Sequence, residues 1–268
     1  MTVSTDIPDV RTAHDPAPQA RPQHFAQRRH EIFQTSLMSA LLDGVYEDEM
    51  TVGEILGHGS FGIGTFNALD GEMVVLDGRA YQLRGDGSVT LPSLDAHSPY
   101  AVVTNFVPTV RAELPEHVTR AEAGTYIDRL TESPNYMYAL RITGEFEWMT
   151  ARTVTRQEKP YRPMTQATDE DAMLRFAHTR GTVVGFRTPL YEQGIGVPGC
   201  HAHYVDDSRR HGGHILDFRV EHAQVELCIC TDLHLRLPLT SEFRQANLAP
   251  DDLRAQLEKS EVHSARVA

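Results

Sequence analysis

Four of the chain's 14 histidines fall between positions 201 and 214, within GCHAHYVDDSRRHGGHILDF. A neutral imidazole is the commonest side-chain ligand of a transition metal. His201 and His203 are two residues apart, and on a strand such residues share a face, so both rings can meet one ion. The polar stretch DDSRRHGG has the composition of a hairpin loop, which would return His214 on a neighbouring strand. Three imidazoles and one open position make the ligand set of a catalytic zinc site. His211 sits in the loop itself and is set aside. Chance alone gives roughly 0.7 His-x-His pairs in a chain of this composition, so the pair does not establish a site by itself. A solvated loop is one rival. A cupin-like arrangement is another, with Asp206 or Asp207 near the place of its acidic ligand, but Ile195 stands where a cupin has glycine.

The elements that must carry these residues are mostly strands. FGIGTFNAL, EMVVLD, AYQLR and SVTL are short strand-like runs separated by Asp70-Gly71, Asp77-Gly78 and Gly85-Asp86-Gly87, which are hairpin residues, so an antiparallel meander is expected. YAVVTNFV (100–107), 136–154, 182–188, 199–205, 214–220 and 223–237 add further strands. Apolar residues at helical spacing over 32–47 (Ile32, Leu37, Leu41, Val45) predict a helix. Thr119 and Glu122 form a capping box that predicts a second helix to about Leu130. Thr168 is expected to cap a third over 169–179, and a polar helix over 250–260 closes the chain. The fold class is therefore α+β or mixed α/β, β-rich with a few helices. The expected boundaries are a disordered tail over 1–30, an N-terminal mixed-sheet subdomain over 31–165, and a C-terminal sheet subdomain over 166–268 that carries the metal site.

Composition narrows the function. A formal net charge of −12 opposes binding to a phosphate backbone, so no nucleic-acid partner is expected. A small anionic substrate is compatible, because a local arginine or metal outweighs the global field. The three cysteines, Cys200, Cys228 and Cys230, with no hydrophobic leader, point to a reducing compartment, hence the cytoplasm. No apolar run is long enough to span a membrane. Cys228 and Cys230 share one face of an alternating strand, which favours buried packing over metal binding. Gly59–Gly64 has the wrong spacing for a phosphate loop and reads as strand glycines allowing close backbone approach. Thr65, directly after it, is a candidate for the pocket wall and substrate contact.

Residues 182–218, TVVGFRTPLYEQGIGVPGCHAHYVDDSRRHGGHILDF, resemble the metal segment of the α-acetolactate decarboxylases, which carry G-x-H-x-H, a short loop, then G-G-H. IFQTSLMSALLDGVYEDEMTVGEILGHGSFGIGTFNALDGEMVVLDG (32–78), ARTVTRQEKPY (151–161) and TPLYEQG (188–194) resemble the same family in order. The resemblance implies a two-part α/β architecture, usually dimeric. It implies zinc-dependent, non-oxidative decarboxylation of 2-acetolactate to acetoin and CO2. It implies His201, His203 and His214 as Zn2+ ligands, and it places the family's functional Glu, Arg and C-terminal Glu on Glu72, Arg152 and Glu261. Glu258 is the alternative to Glu261. Cys200 departs from the family, which usually has a bulkier, often aromatic residue there.

These residue types suit the implied reaction. Loss of CO2 leaves an electron pair that the neighbouring ketone accepts as an enediolate. A metal chelating the ketone and hydroxyl oxygens stabilises that charge as a Lewis acid. Arg152, always charged and planar, can orient the carboxylate. Glu72 and Glu261 are candidates for delivering the proton or holding Arg152. Without the resemblance, each of these three has an ordinary structural reading: a turn residue, a strand ion pair, a frayed end. The competing functions are a non-catalytic metal- or ligand-binding sheet domain and a cupin-like metal dioxygenase.

Overall fold

The structure, a computed structural model, describes residues 30–168 and 173–261, with Glu261 described by its backbone alone. The tail expected over 1–30 falls outside the described residues but for His30. Among the described residues, twelve strands form two sheets. Strand β1 (Glu31–Thr35) pairs antiparallel with β6 (Ala101–Thr104) and parallel with β12 (Asp232–Arg236). Beyond β6 the meander β2 (Phe61–Thr65), β3 (Glu72–Leu76), β4 (Arg79–Leu83) and β5 (Val89–Thr90) completes seven strands in the order β12-β1-β6-β2-β3-β4-β5. Asp77 and Gly78 have φ of 51° and 76°, the positive pair that a two-residue hairpin of the right twist requires.

The helix expected over 32–47 is corrected. Ile32 and Phe33 are strand residues, buried in the cores on opposite faces of the sheet, and only Met38–Leu42 (α1) is helical. A strand covered on both faces reads as a continuous apolar run, and spacing alone does not separate it from a buried helix. Helix α2 (Val52–His58) was not anticipated, although Thr51 and Glu54 form a full capping box at its start.

The second sheet contains β7 (Val110–Glu113), β8 (Met137–Arg152), β9 (Met173–Thr188), β10 (Gly199–Asp206) and β11 (Gly212–Cys230), in the order β10-β9-β8-β11-β7. β10 also pairs with β11 through His203–Val205 against Gly212–His214, so four of its strands close on themselves. Helix α3 (Arg120–Leu130) begins at the Thr119–Glu122 capping box as expected. The helix expected over 169–179 is corrected. Thr168 instead ends the short α4 (Met164–Ala167), residues 169–172 lie outside the described set, and from Met173 the chain is strand, paired residue by residue with β8. The sheets do not divide the chain at 165/166. β7 and β8 precede that point and belong to the five-stranded sheet, while β12 follows it and returns to the seven-stranded one. α5 (Ser241–Gln245) and α6 (Leu253–Glu261) close the described chain. No helix among the described residues is long and apolar enough to cross a membrane.

The main core lies between the two sheets and includes Ile63, Val74, Val102, Val184, Phe186 and Val205. Cys228 and Cys230 are buried free thiols in this core, the packing role expected of them. Behind the site, β2 is pressed against β6. A Cβ at Gly62 would lie 2.1 Å from the Val102 carbonyl oxygen, and one at Gly64 would lie 2.5 Å from that of Tyr100. Gly62→Ala should therefore destabilise the protein by about 2 kcal/mol or more, through forced separation of the strands. Chemical unfolding checks this, and an unchanged midpoint would show that β2 and β6 have more slack than these distances allow.

Candidate metal centre

The centre is built on strand register. His203 on β10 stands opposite His214 on β11, and His214 stands opposite Arg152 on β8. Arg152, His214 and His203 thus form one cross-strand row, in which neighbouring side chains lie about 5 Å apart. His201 lies one pleat further along β10 on the same face, while Ala202 and Tyr204 turn into the core on the other side. The ligand atoms of His201, His203 and His214 lie within 4.8 Å of one another. This face looks toward the seven-stranded sheet, where Thr65 and Glu72 stand opposite each other at the adjoining ends of β2 and β3.

His203 tests whether a metal fits. Its Nδ1 lies 2.9 Å from the Met73 carbonyl oxygen, and a carbonyl only accepts, so Nδ1 carries the proton. Nε2 then presents a lone pair. It is buried and has no hydrogen-bond partner. A buried acceptor left so costs about 1–3 kcal/mol, and a cation shared with two more imidazoles removes that cost. Glu72, also buried, has its Oε2 3.7 Å from this Nε2, too far for a hydrogen bond.

The electrostatics favour the ligating form. Burial pushes the His201 pKa down to about 3, with Arg152 and then Arg120 adding to the effect. Burial first, then neighbouring imidazoles and Arg152, hold His203 and His214 well below the ordinary imidazole value. All three are therefore neutral at neutral pH, as a metal ligand must be.

Arg152 is 3% exposed, and its Nη2 donates to the Ser260 carbonyl on α6. That helix is anchored by buried Leu257. Glu261 follows Ser260 directly. Glu258 is instead exposed and accepts from Arg254 Nε at 2.9 Å, on the outer surface. Thr65 is buried and its hydroxyl donates to the Gly71 carbonyl at 2.8 Å. Thr65, Glu72, Arg152, His201, His203 and His214 line one pocket of about 20 Å³, walled by apolar side chains that include Met38, Leu41 and Tyr100.

Asp206 does not join this group. Its carboxylate accepts from the backbone of Arg210 and His211, at 2.8 and 3.1 Å, and from Ser208 at 2.6 Å, which shapes the hairpin loop. Asp207 pairs with Arg180 at 3.1 Å. The cupin ligand set is therefore not formed. Sequence reasoning missed the apolar wall from α1, hidden inside the misread helix. It also missed the Ser260 carbonyl, since a backbone acceptor leaves no trace in residue type.

The sequence pattern of the family described as "Alpha-acetolactate decarboxylase" matches residues 32–250. An alpha-acetolactate decarboxylase of Klebsiella aerogenes is 45% identical over 230 residues, covering 86% of this chain and 88% of that protein. One of Raoultella terrigena is 44% identical over 226 residues, covering 84% and 87%. The crystal structure of alpha-acetolactate decarboxylase from Bacillus subtilis strain 168 superposes with a TM-score of 0.85 at 41% identity, covering 86% of this chain and 99% of that one.

The depressed imidazole pKa values have a direct consequence for the metal-free protein. The fold favours neutral rings, so acid works against it: stability falls as pH drops below about 6.5, where histidines of the unfolded chain begin to protonate. In NMR titrations, His203 and His214 should show no inflection between about pH 5 and 8. An inflection near the free-histidine value would mean that these rings reach bulk water.

Proposed function

The chain belongs to the alpha-acetolactate decarboxylase family, and from that premise we propose that it converts 2-acetolactate to acetoin and CO2 at a Zn2+ ion held by His201, His203 and His214. As a family member it is a decarboxylase, a lyase acting on a small molecule. The observation that carries the metal reading is the orphaned Nε2 of His203, converging with two neutral imidazoles. Zinc bound there would supply Lewis-acid stabilisation for the electron pair that departing CO2 leaves on the ketone.

The chain's own residues do the rest. Arg152 holds its charge in a buried place, fixed by the Ser260 carbonyl, and orients the substrate carboxylate. Glu72 projects from the first residue of β3 beside the histidines, so a proton held on its carboxyl reaches the substrate from one face only. Glu261 is the second acid, placed by α6 next to the residue that holds Arg152. Thr65 spends its proton on Gly71, which leaves its oxygen lone pairs facing the pocket as acceptors for a substrate hydroxyl. The overall balance is one proton taken up at the carbon that loses CO2. The same reading places the protein in the cytoplasm, where three free thiols persist. It also makes the protein a homodimer supplying acetoin toward butanediol. Exposed Leu190, Tyr191 and Leu239 offer apolar surface for a second copy, and sedimentation at twice the 30.0 kDa chain mass tests that point.

The deciding experiment measures acetoin release from racemic 2-acetolactate before chelation, after it, and after zinc is restored. Loss and recovery are expected. A folded, zinc-loaded protein that releases no acetoin would leave only a metal-binding domain. Glu72→Gln should lower turnover about a hundredfold while zinc content is retained, whereas His203→Ala should lose both. Normal turnover in Glu72→Gln would remove that carboxyl from the proton path.

A further inference from the structure

Three cavities reach the histidines; one, of about 20 Å³ beside Ile63 and Phe186, touches His201 alone, and the other two lie on opposite faces of the β10–β11 pair. The pocket beside Glu72 and Arg152 has about 20 Å³, room for about one water molecule. A branched hydroxy-keto acid does not pass through it. The second cavity lies beneath α3, has about 480 Å³, and reaches His201 and His214.

The connection between them follows from the strands. β10 follows β9 throughout, but it pairs with β11 only over His203–Val205. Before that point β10 and β11 diverge, where β11 has a register irregularity between Ile215 and Asp217. The slot that opens is bridged by one side chain. Arg120, the first residue of α3, donates from Nη1 to the Leu216 carbonyl at 3.1 Å and from Nη2 to the Cys200 carbonyl at 3.0 Å. Both acceptors are neutral, and a guanidinium has five N–H donors, so charge and unused donors remain on a side chain that lines the cavity. Asp217, the acid on that wall, turns its carboxylate to its neighbour, the Phe218 N–H, at 2.8 Å. Much of the remaining wall is apolar, including Ala123, Ile127 and Val183.

We propose that the 2-hydroxy-3-oxo carboxylate substrate reaches the histidines through the cavity beneath α3, and that Arg120 is a positioning residue that receives its carboxylate at the slot. This rests on the decarboxylase reading. The cavity suits such a ligand, with a cation on its wall and apolar walls for methyl and acetyl groups. Arg120 steers the anion to the slot and passes its carboxylate on to Arg152. Arg152, on the other face of the strands, remains with the reacting centre. Gly124 gives a second handle, because it lines the same cavity and a Cβ there meets no neighbouring element within 4 Å.

The test uses the zinc-loaded enzyme and two readouts. In acetoin assays, Arg120→Gln should raise KM about tenfold with a smaller change in kcat, and it should flatten the salt dependence of kcat/KM. Arg120→Lys should keep that salt dependence, since the charge stays. Gly124→Phe puts a ring into the cavity one helical turn from Arg120, and it should lower kcat/KM at least tenfold with zinc content and melting temperature retained. Calorimetry with 2-hydroxyisobutyrate, an unreactive 2-hydroxy carboxylate, should show about tenfold weaker binding in Arg120→Gln. Wild-type KM, salt dependence and 2-hydroxyisobutyrate affinity in Arg120→Gln, with unimpaired Gly124→Phe, would overturn the proposal. If the unmodified protein releases no acetoin yet binds the probe through Arg120, the decarboxylase reading fails while the carboxylate site stands.

Discussion

The hydrogen bond from His203 Nδ1 to the Met73 carbonyl joins the two sheets at the point where chemistry can occur. Its donor sits on the five-stranded sheet and its acceptor on the seven-stranded one, so it holds their separation within a few tenths of an ångström. It also selects the tautomer that turns the bare nitrogen toward His201 and His214. Met73 directly follows Glu72, so the strand that supplies the acceptor also aims the carboxylate at the same nitrogen. Side chains alternate along β3: Glu72 and Val74 face the five-stranded sheet, and Met73 and Val75 face the core behind. The contact therefore needs β3 at one depth. The glycines of β2, which let that strand press against β6, help to set that depth.

Register does the remaining positioning. Arg152 is far in sequence from the hairpin that pairs His203 with His214, and the three become neighbours because β8, β11 and β10 align them in one row. A slip of one residue between β10 and β11 would turn His214 into the opposite core and bring Gly213 to the site. The hairpin loop resists that slip. The carboxylate of Asp206 gathers two backbone N–H groups and the Ser208 hydroxyl, fixing the loop length. β10 must also follow β9 along its whole length, so its contact with β11 is short. The same constraint that converges the histidines therefore opens a slot beside them, and Arg120 spans it.

The sequence carried the local parts of this arrangement. The two-residue spacing of His201 and His203, the loop that returns His214, and the capping box before α3 all depend on neighbours along the chain, and they were legible. Family resemblance, not spacing, pointed to Glu72 and Arg152. What was not legible depended on burial from both sides. The β1 segment was misread as helix because sheet neighbours cover both its faces, and β9 was cut short because its first half is a half-exposed strand with helix-like composition. The crossing of β12 into the first sheet is a topological fact with no local signal. Nor does any residue type announce that a serine carbonyl will hold Arg152.

Charge sets the last constraint. The chain carries a formal net charge of −12, yet the proposed substrate is an anion. At physiological salt, exposed charges are screened over about 8 Å, so the global field fades near the surface. Inside, screening is weak. There Arg120, bonded to two backbone carbonyls, is opposed less by those partners than it would be by carboxylates, and Arg152 lies buried beside the histidines. Their fields act on His201 and His214, and together with burial keep those rings unprotonated. The same two cations therefore serve two requirements at once. In the proposed reaction they would attract a carboxylate into an acidic protein, and they hold the imidazoles in the form that leaves a lone pair for a metal. A carboxylate partner on Arg120 would weaken both effects together, so its bonding to backbone carbonyls is itself part of how the site works.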